Sequence, residues 1–275
     1  MRSAEAGKGK GKRRALRRAL GRPGQAYLLE IFSGIQGEGP LVGERQIFLR
    51  FAGCNLRCRY CDTPASRHPR PKRCLAEEDP GGRDFQAIAN PVSGEALLER
   101  VRKLARPGLH RWVSLTGGEP LLQADFLAEW LPGILALRLR TYLETNGTLA
   151  PELSRLLPLL DYVAVDLKLP SATGQPPRWA EARAFLELLH AEGKARAVCA
   201  KAVVCGETDD DEIALAAGLV QTTAPEALLV LQPVNPRGGA LPPPPERMLR
   251  LQELAKRQHP QVRVIPQMHR LMGQM

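Results

Sequence analysis

The 275-residue chain has no run of about 18 uninterrupted apolar residues, the length that a membrane-spanning helix needs. Its basic N-terminus is not followed by the apolar segment of a secretory signal, so we expect neither a membrane protein nor a secreted one. Apolar residues make up 44% and charged residues 25% of the chain, which is typical of a globular protein and excludes a wholly disordered one.

Positive charge is concentrated at the N-terminus. Residues 1–25 contain nine Lys or Arg and one acidic residue, whereas residues 26–275 contain 30 basic and 28 acidic side chains. The folded body is therefore nearly neutral, and we predict that residues 1–25 form a basic, disordered extension or derive from an upstream start. An RNA-tethering arm and an organellar targeting segment are the alternatives, and the scarcity of Ser argues against targeting.

Three of the six cysteines lie within eight residues, between positions 54 and 61. Disulfides cannot sensibly link residues so crowded, and nothing indicates a secreted protein. Clustered cysteines in a cytosolic protein indicate a metal site. Of the remaining three, we predict that Cys199 and Cys205 are thiols within strands and that Cys74 is a free thiol in a loop.

Strand-like and helix-like segments alternate after residue 25. Short runs rich in Val, Ile and Leu predict strands at residues 27–32, 47–52, 112–115, 141–144, 162–166, 198–204, 228–232 and 262–265. Amphipathic patterns predict helices at about 94–104, 124–137, 151–159, 178–192, 209–220 and 246–258. The alternation predicts βαβ units and a parallel sheet in one domain over residues 26–275, with an irregular insertion at about 64–93. A domain boundary there or at the Pro-rich segment 233–245 is the alternative.

Polar motifs follow, end or lie within successive predicted strands. They are the cysteine cluster, residues 116–120, residues 144–147, residues 166–168, Lys201, and the pair Gln232 and Pro233. The carboxyl ends of parallel strands share one face, where ligands bind in barrels and open sheets. We therefore predict that these motifs converge on one site.

The clustered cysteines supply three thiolates, whereas a structural zinc or a fully ligated iron–sulfur cluster usually takes four ligands. The three are Cys54, Cys58 and Cys61. On a [4Fe–4S] cluster they would leave one iron open to an external ligand. Their Cys-x3-Cys-x2-Cys spacing, with Tyr60 before the third cysteine, resembles the radical S-adenosylmethionine (SAM) superfamily. A three-cysteine zinc site completed by His68 or Cys74 is the alternative.

The resemblance implies a chemistry. In that superfamily the open iron chelates the amino and carboxylate groups of SAM, and the reduced cluster cleaves the sulfonium to give a 5′-deoxyadenosyl radical. Residues 116–120 (Thr-Gly-Gly-Glu-Pro) resemble the superfamily's Gly-Gly-Glu-Pro motif, whose strand edge receives the methionine amino group. Glycines allow such a close backbone approach. The position of this motif, one strand after the cysteines, argues against zinc.

A narrower resemblance begins before the cysteines. Residues 32–39 (Phe-Ser-Gly-Ile-Gln-Gly-Glu-Gly) resemble the opening motif of the 7-carboxy-7-deazaguanine synthase family, which acts in deazapurine and queuosine-precursor biosynthesis. The similarity covers about residues 27–275 and continues through residues 47–54, 61–63, 144–147, 166–168, 232–233 and 266–269. It implies an incomplete parallel α/β barrel of about six strands, splayed open at the cluster face.

The resemblance also implies site residues. Those for the substrate, 6-carboxy-5,6,7,8-tetrahydropterin, are Ile35, Gln36, Gly37, Arg50 and Thr116, with Gln232 and Pro233 closing the far side. Those for the cofactor pocket are Tyr60, Asp62, Gly118, Glu144, Thr145, Asn146 and Lys201. Thr63 is the implied Mg²⁺ ligand, because a hydroxyl oxygen suits that hard cation. The planar guanidinium of Arg50 suits a carboxylate.

The implied reaction is a radical ring contraction with no catalytic side chain beyond the cluster and the cofactor radical. A hydrogen atom leaves the pterin carbon that bears the carboxylate, the radical rearranges, ammonia departs and 7-carboxy-7-deazaguanine forms. Mg²⁺ on the carboxylate would orient the radical. The family further implies a cytoplasmic homodimer reduced by a flavodoxin or ferredoxin, and we expect no membrane or nucleic-acid partner.

Two other functions compete with this one. A glycyl-radical-activating enzyme uses the same cluster on a protein partner, but generally lacks a segment such as residues 36–39. A nucleic-acid-binding metal module would use residues 2–22 as its arm.

Structural interpretations also stay open for single residues, because Glu38 could belong to a tight turn and Asp166 with Lys168 could be an ordinary strand-end ion pair. Many relatives have a short aromatic segment after Thr63. This chain instead has residues 64–68, which contain no aromatic side chain of that kind, and then the long insertion.

Overall fold

A computed structural model describes residues 24–191, 193 and 198–274 of the chain. Residues 1–23 of the predicted basic extension, and the last residue of the helix predicted at 178–192, lie outside the described residues. Within the described ranges, no helix is both long enough and apolar enough to span a bilayer.

Twelve strands and eight α-helices make up the described part of the chain. The strands are β1 (Gln25–Ala26), β2 (Leu28–Ile35), β3 (Arg45–Phe51), β4 (Arg73–Glu77), β5 (Phe85–Ala89), β6 (Val92–Ser93), β7 (Trp112–Gly117), β8 (Arg140–Thr145), β9 (Tyr162–Leu167), β10 (Val198–Val204), β11 (Leu228–Pro233) and β12 (Val262–Val264). The helices are α1 (Gly94–Leu104), α2 (Ala124–Ala136), α3 (Ala150–Leu153), α4 (Pro170–Thr173), α5 (Trp179–Ala191), α6 (Asp210–Thr223), α7 (Pro245–Gln258) and α8 (Met268–Leu271). Short 3₁₀ turns occupy Gly39–Leu41, Pro64–Arg67, Pro120–Gln123 and Leu157–Leu159.

Ten strands form one open sheet in the order β12-β11-β10-β9-β8-β7-β3-β2-β4-β5, and β1 pairs with β6 in a separate two-stranded sheet. The seven strands from β12 to β3 run parallel, and β2 lies antiparallel beside β3. The sheet does not close, so the prediction of an incomplete parallel α/β barrel is confirmed. The parallel part has one strand more than the six expected, because the three-residue strand β12 joins its edge.

The amphipathic helices bury one face against the sheet. In α1, Leu97, Val101 and Leu104 are fully buried at positions four and three apart, the spacing of one helix face. The Ser93 hydroxyl caps this helix by accepting the Ala96 N–H at 3.2 Å. The helix predicted at 151–159 is shorter than expected. It is divided into α3 and a 3₁₀ turn containing Pro158, a residue that has no N–H for a helical hydrogen bond.

The segment predicted as an irregular insertion contains a β-hairpin. Strands β4 and β5 pair antiparallel, and β4 extends the main sheet by pairing parallel with β2. Cys74 and Ala76 are fully buried in β4, so the prediction that Cys74 lies in a loop is wrong. Two buried apolar positions among many Pro, Gly, Arg and Asp residues are too few to give a readable period of two.

Candidate active site

A cavity of about 640 Å³ lies at the carboxyl ends of the parallel strands. It is lined by every site residue predicted from the sequence except Pro233, namely Ile35, Gln36, Gly37, Arg50, Cys54, Cys58, Tyr60, Cys61, Asp62, Thr63, Thr116, Gly118, Glu144, Thr145, Asn146, Lys201 and Gln232. Pro233 is the last residue of β11, directly after Gln232, but is not part of the lining. The motifs that follow separate strands therefore converge, as the topology of a parallel sheet requires.

The loop after β3 carries the three clustered thiols. Cys58 is buried and Cys54 and Cys61 are half-buried, and all three line the cavity. The loop turns tightly, because the Cys61 N–H donates to the Cys58 carbonyl at 3.2 Å and the Leu56 N–H donates to Cys54 Sγ at 3.5 Å. Burial raises the pKa of Cys54 to about 12 and also raises that of Cys58, so a metal group must displace these protons to bind.

The arrangement of ligands argues against the zinc alternative. Cys74 is buried in the hydrophobic core, and Nδ1 of His68 accepts the Arg70 N–H at 3.2 Å. Among the residues that the structure describes, no three His, Cys, Asp or Glu side chains are arranged to hold one metal ion. An iron–sulfur cluster does not need such an arrangement, because its thiolates bind separate irons.

Two glycines let the Gly-Gly-Glu-Pro segment approach the cysteine loop. Gly117 has a φ of +127°, and a Cβ atom there would lie 2.3 Å from the Phe51 carbonyl oxygen. A Cβ atom at Gly118 would lie 2.1 Å from the carbonyl oxygen of Gly53. The Gly118 N–H donates to Phe51 at 3.0 Å and the Glu119 N–H donates to Gly53 at 2.8 Å. Both glycines are therefore required to fix the loop that carries the thiols.

Glu119 joins this segment to the motif after β8. Its buried carboxylate accepts the Asn146 N–H at 2.8 Å, the Thr145 hydroxyl at 2.9 Å and the Leu121 N–H at 3.1 Å. Burial raises the pKa of Glu119 to about 7, against the lowering effect of these hydrogen bonds. Glu119 had no predicted role of its own, although it belongs to the motif at residues 116–120.

Two largely buried acids and two lysines form a charged network on one wall of the cavity. The Lys201 ammonium contacts the carboxylate of Glu38 and lies 3.5 Å from Asp166, which also pairs with Lys168 at 2.9 Å. Burial acts to raise the pKa of Asp166, but the two lysines hold it below its usual value. Asp166 and Lys168 thus form the ion pair that was the structural alternative, but the pair faces the cavity.

Glu144 gathers three side chains at the end of β8. It accepts the Gln36 amide at 2.9 Å, the Thr116 hydroxyl at 2.8 Å and the Ser114 hydroxyl at 3.3 Å. Burial, followed by the negative charge of Glu38, raises the pKa of Glu144. Gln36 and Thr116, predicted for the substrate, therefore contact a residue predicted for the cofactor.

The C-terminal segment forms a further wall. The Met268 N–H donates to the Gly37 carbonyl at 2.9 Å, and a Cβ atom at Gly37 would lie 2.1 Å from Nδ1 of His269. The Arg270 guanidinium donates to Asp62 at 3.1 Å. Burial acts to raise the pKa of Asp62, but Arg50 and Arg270 hold it below its usual value. The sequence motif at residues 266–269 indicated that this segment belongs to the site, but it did not predict a role for any of its residues.

Several polar residues of the cavity had no role predicted from the sequence. They include Glu30, Glu38, Arg67, Asp166, Lys168, Asn235, Arg237, Gln267, His269 and Arg270. Asp166 and Lys168 were expected to reach the site, because residues 166–168 lie at the end of a predicted strand. No sequence signal indicated that Glu30 or Arg67 belongs to the site. Only the pairing of β2 with β3 and the fold of the cysteine loop bring these two residues to the cavity.

Comparisons with known proteins identify the family of this chain. The model of the radical SAM superfamily matches residues 49–217. The chain is 44% identical to 7-carboxy-7-deazaguanine synthase of Geobacter sulfurreducens, over 93% of this chain and all of that protein. It is 38% identical to the Methanothermobacter thermautotrophicus protein of the same name, over 90% of this chain and 98% of that one.

The fold is similar to that of QueE from Escherichia coli, with a TM-score of 0.56 and 20% identity over 89% of this chain and 95% of that one. A radical SAM methyltransferase from Sphaerobacter thermophilus gives a TM-score of 0.54 over 81% of this chain and 66% of that one, at 17% identity. At these identities the structures establish a shared fold only. The two sequence matches cover at least nine-tenths of the chain, and the chain belongs to the 7-carboxy-7-deazaguanine synthase family of the radical SAM superfamily.

Proposed function

We propose that the protein is a radical SAM enzyme that converts 6-carboxy-5,6,7,8-tetrahydropterin into 7-carboxy-7-deazaguanine with loss of ammonia. One observation carries the proposal: a single cavity contains the three clustered thiols, the Gly-Gly-Glu-Pro segment and all but one of the residues expected to bind substrate. A glycyl-radical-activating enzyme is not favoured, because the relatives that match nearly the whole chain are named for the deazaguanine reaction.

The donor set fits the cofactors that the superfamily implies, a [4Fe–4S] cluster and SAM. Cys54, Cys58 and Cys61 would hold the cluster. Asp166 Oδ1 and Gln232 Oε1 are buried oxygens without a hydrogen-bond partner in the described structure, and both residues face the cavity, as expected for groups that meet a bound ligand. When bound, the cluster and SAM supply the radical that removes hydrogen from the substrate.

Arg50 is the proposed partner of the substrate carboxylate. Glu30 accepts from Nε of Arg50 at 2.6 Å, and the guanidinium lies 5.8 Å from the ring centre of Phe32. These two contacts fix the plane of the guanidinium, and Arg50 lines the cavity. A guanidinium held in one plane suits a bidentate pair with a carboxylate.

The loop at residues 35–37 is proposed to bind the edge of the pterin ring. Its backbone is fixed, because the Gln36 N–H donates to Glu44 at 2.8 Å and the Gly43 N–H donates to Gln36 at 2.9 Å. The Gln36 side chain is held by Glu144. A rigid loop loses little entropy when the ring binds.

Thr63 is the proposed Mg²⁺ ligand. Its hydroxyl donates to Asp62 Oδ1 at 3.1 Å, and both residues line the cavity. The lowered pKa of Asp62 keeps this carboxylate negative beside the hydroxyl, which favours a hard cation. Thr63 would thus hold a cation that would help to orient the substrate carboxylate.

The remaining family properties enter as proposals. A homodimer and a flavodoxin or ferredoxin as electron donor follow from the resemblance. A reducing cytoplasm would suit the free thiols of the cluster loop. No nucleic-acid or membrane partner is proposed.

Anaerobic turnover tests the function. Reconstituted protein is mixed with SAM, Mg²⁺, a reductant and 6-carboxy-5,6,7,8-tetrahydropterin, and the products are identified by mass spectrometry. We expect 7-carboxy-7-deazaguanine, lost in Cys58→Ala and kept in Cys74→Ala, a buried cysteine outside the cavity. Cleavage of SAM with unchanged pterin would contradict the substrate but not the radical chemistry, and the search would then turn to a protein substrate.

A further inference from the structure

The Gln175 side chain bridges the cysteine loop from the segment after α4. Its Nε2 donates to Cys58 Sγ at 3.5 Å, and its Oε1 accepts the Arg57 N–H at 3.2 Å. A backbone N–H can only donate, so it must face the amide oxygen. The amide nitrogen is therefore turned towards the sulfur, and the orientation of the side chain is fixed by its partners.

The segment that carries Gln175 is clamped to the cysteine loop by Arg59, which lies between Cys58 and Cys61 in the chain. The Arg59 guanidinium donates to the carbonyl of Ala172 at 3.1 Å and to that of Ser171 at 2.7 Å. Its backbone N–H donates to the Thr173 carbonyl at 3.0 Å. Three hydrogen bonds thus hold residues 171–173 beside the loop, and Gln175 follows two residues later.

The turn between α4 and Gln175 is also fixed. Gly174 ends the helix in the left-handed conformation at φ +68°, and its N–H donates to the Pro170 carbonyl at 2.9 Å. The Gln175 N–H donates to the Thr173 hydroxyl at 3.2 Å, and this hydroxyl donates to the Leu169 carbonyl at 2.8 Å. The position of the amide therefore follows from a rigid turn and not from a freely rotating surface side chain.

We propose that Gln175 is a positioning residue for the cluster, which orients the Cys58 sulfur and sets the reduction potential of the cluster through an N–H to sulfur hydrogen bond. The inference rests on the proposed function only in that the cluster is bound by Cys58. A donor to a ligand sulfur stabilises the extra negative charge of the reduced state, so it makes reduction easier. Radical SAM chemistry begins from the reduced cluster, so Gln175 would govern how much of the protein is ready to react.

Redox titration of the reconstituted cluster, followed by electron paramagnetic resonance, tests the inference. Gln175→Met removes both hydrogen bonds at similar side-chain length, and Gln175→Glu keeps an acceptor for Arg57 while replacing the donor with a negative charge. Gln261→Met is the matched control, because the amide of Gln261 donates to the Pro225 carbonyl at 3.5 Å on an exposed surface outside the cavity. Iron and sulfide content are measured for each protein.

We expect the reduction equilibrium of Gln175→Met to fall about fivefold, the value of one net hydrogen bond of about 1 kcal/mol. This corresponds to a midpoint potential about 40 mV more negative for a one-electron couple. Gln175→Glu should be lower still, and Gln261→Met should equal wild type. A Gln175→Met protein with full iron content and an unchanged midpoint would overturn the proposal.

A second measurement needs no substitution. Wild-type protein labelled with ¹⁵N in its glutamine side-chain amides is reduced and examined by electron–nuclear double resonance. We expect a ¹⁵N coupling to the reduced cluster, and its absence would overturn the proposal even if the Gln175 variants lost their cluster. Neither measurement uses the pterin, so a shifted potential in a protein that fails to turn over pterin would refute the substrate and not the role of Gln175.

Discussion

Glu38 and Lys201 form an ion pair inside the cavity, although 163 residues separate them in the chain. The Glu38 carboxylate also accepts the side-chain amides of Gln232, at 3.2 Å, and Gln267. Burial acts to raise the pKa of Glu38, but the charge and hydrogen bond of Lys201, with the bond from Gln267, bring it below its usual value. One carboxylate therefore joins the loop after β2, the middle of β10, the end of β11 and the C-terminal segment.

Removing one member of this pair should destabilise the protein more than removing both charges. Lys201→Met leaves Glu38 without its cation at a site where the side chains are only 12% and 15% exposed. A buried charge that loses its partner costs about 3–5 kcal/mol. We expect a loss of this order in the free energy of unfolding of the cluster-free protein, measured in urea. The double variant Lys201→Met with Glu38→Gln should recover most of it, and equal stability of the single and double variants would show that the pair is not coupled.

Gly118 should be essential for cluster binding. An alanine Cβ would lie 2.1 Å from a backbone oxygen of the cysteine loop, so either that loop or the end of β7 must move. We expect Gly118→Ala to lose most of its iron and to unfold at a lower temperature.

The matched control for Gly118→Ala is Gly218→Ala. Gly218 lies within α6, where an added Cβ would meet nothing within 4 Å. That change should stabilise the protein by about 0.5–1 kcal/mol, since alanine is the better helix former. Iron analysis and thermal unfolding of both variants would separate a local clash from a general effect of adding a methyl group. Full iron content in Gly118→Ala would contradict the packing argument.

The parallel sheet was predictable because its central strands are buried on both faces and read as short Val, Ile and Leu runs. The cavity motifs were predictable because they follow those strands, whose carboxyl ends must share a face. The β4–β5 hairpin was not, since only two of its residues reach the core as an alternating pair. Its pairing with β2 depends on long-range contacts that no local pattern records.

The charged network could not be predicted from the sequence either, because it also joins residues that lie far apart in the chain. Lys201 lies in the middle of β10 and is the only charged residue of that strand. The sequence therefore showed its position in the strand but not the residues that it contacts. Glu38 was placed in a turn motif, and the turn is real, because the 3₁₀ helix Gly39–Leu41 follows it. What the motif could not indicate is that the side chain points across the cavity to residues far along the chain.

Glu119 should make stability depend on pH in a defined window. Its pKa is raised from 4.5 to about 7 by burial. Between these values the folded protein keeps a proton that the unfolded chain releases, so the free energy of unfolding falls as pH rises through the window. The size is on the order of 3 kcal/mol, at about 1.4 kcal/mol for each pKa unit.

Urea unfolding of the cluster-free protein at pH 5 and pH 8 measures the effect of Glu119. Glu119→Gln cannot ionise, so the stability advantage of wild type over this variant should be larger at pH 5 than at pH 8. Comparing the two proteins cancels the titration of other groups, among them His110, whose pKa burial lowers to about 4. Glu246→Gln, at an exposed carboxylate at the start of α7, should show no such difference. A constant gap between wild type and Glu119→Gln would mean that Glu119 does not titrate in this window.

Thr63 should determine how much Mg²⁺ the reaction needs. If its hydroxyl is a ligand, Thr63→Ala removes one oxygen and leaves Asp62 without the hydroxyl that now donates to it at 3.1 Å. We expect the Mg²⁺ concentration for half-maximal turnover to rise by at least about tenfold, while SAM cleavage without pterin is unchanged. Thr63→Ser keeps the oxygen and should behave as wild type, which separates ligation from packing of the methyl group. Equal Mg²⁺ dependence in all three proteins would show that the cation binds elsewhere. A site with few protein oxygens must bind Mg²⁺ more weakly when it loses one of them.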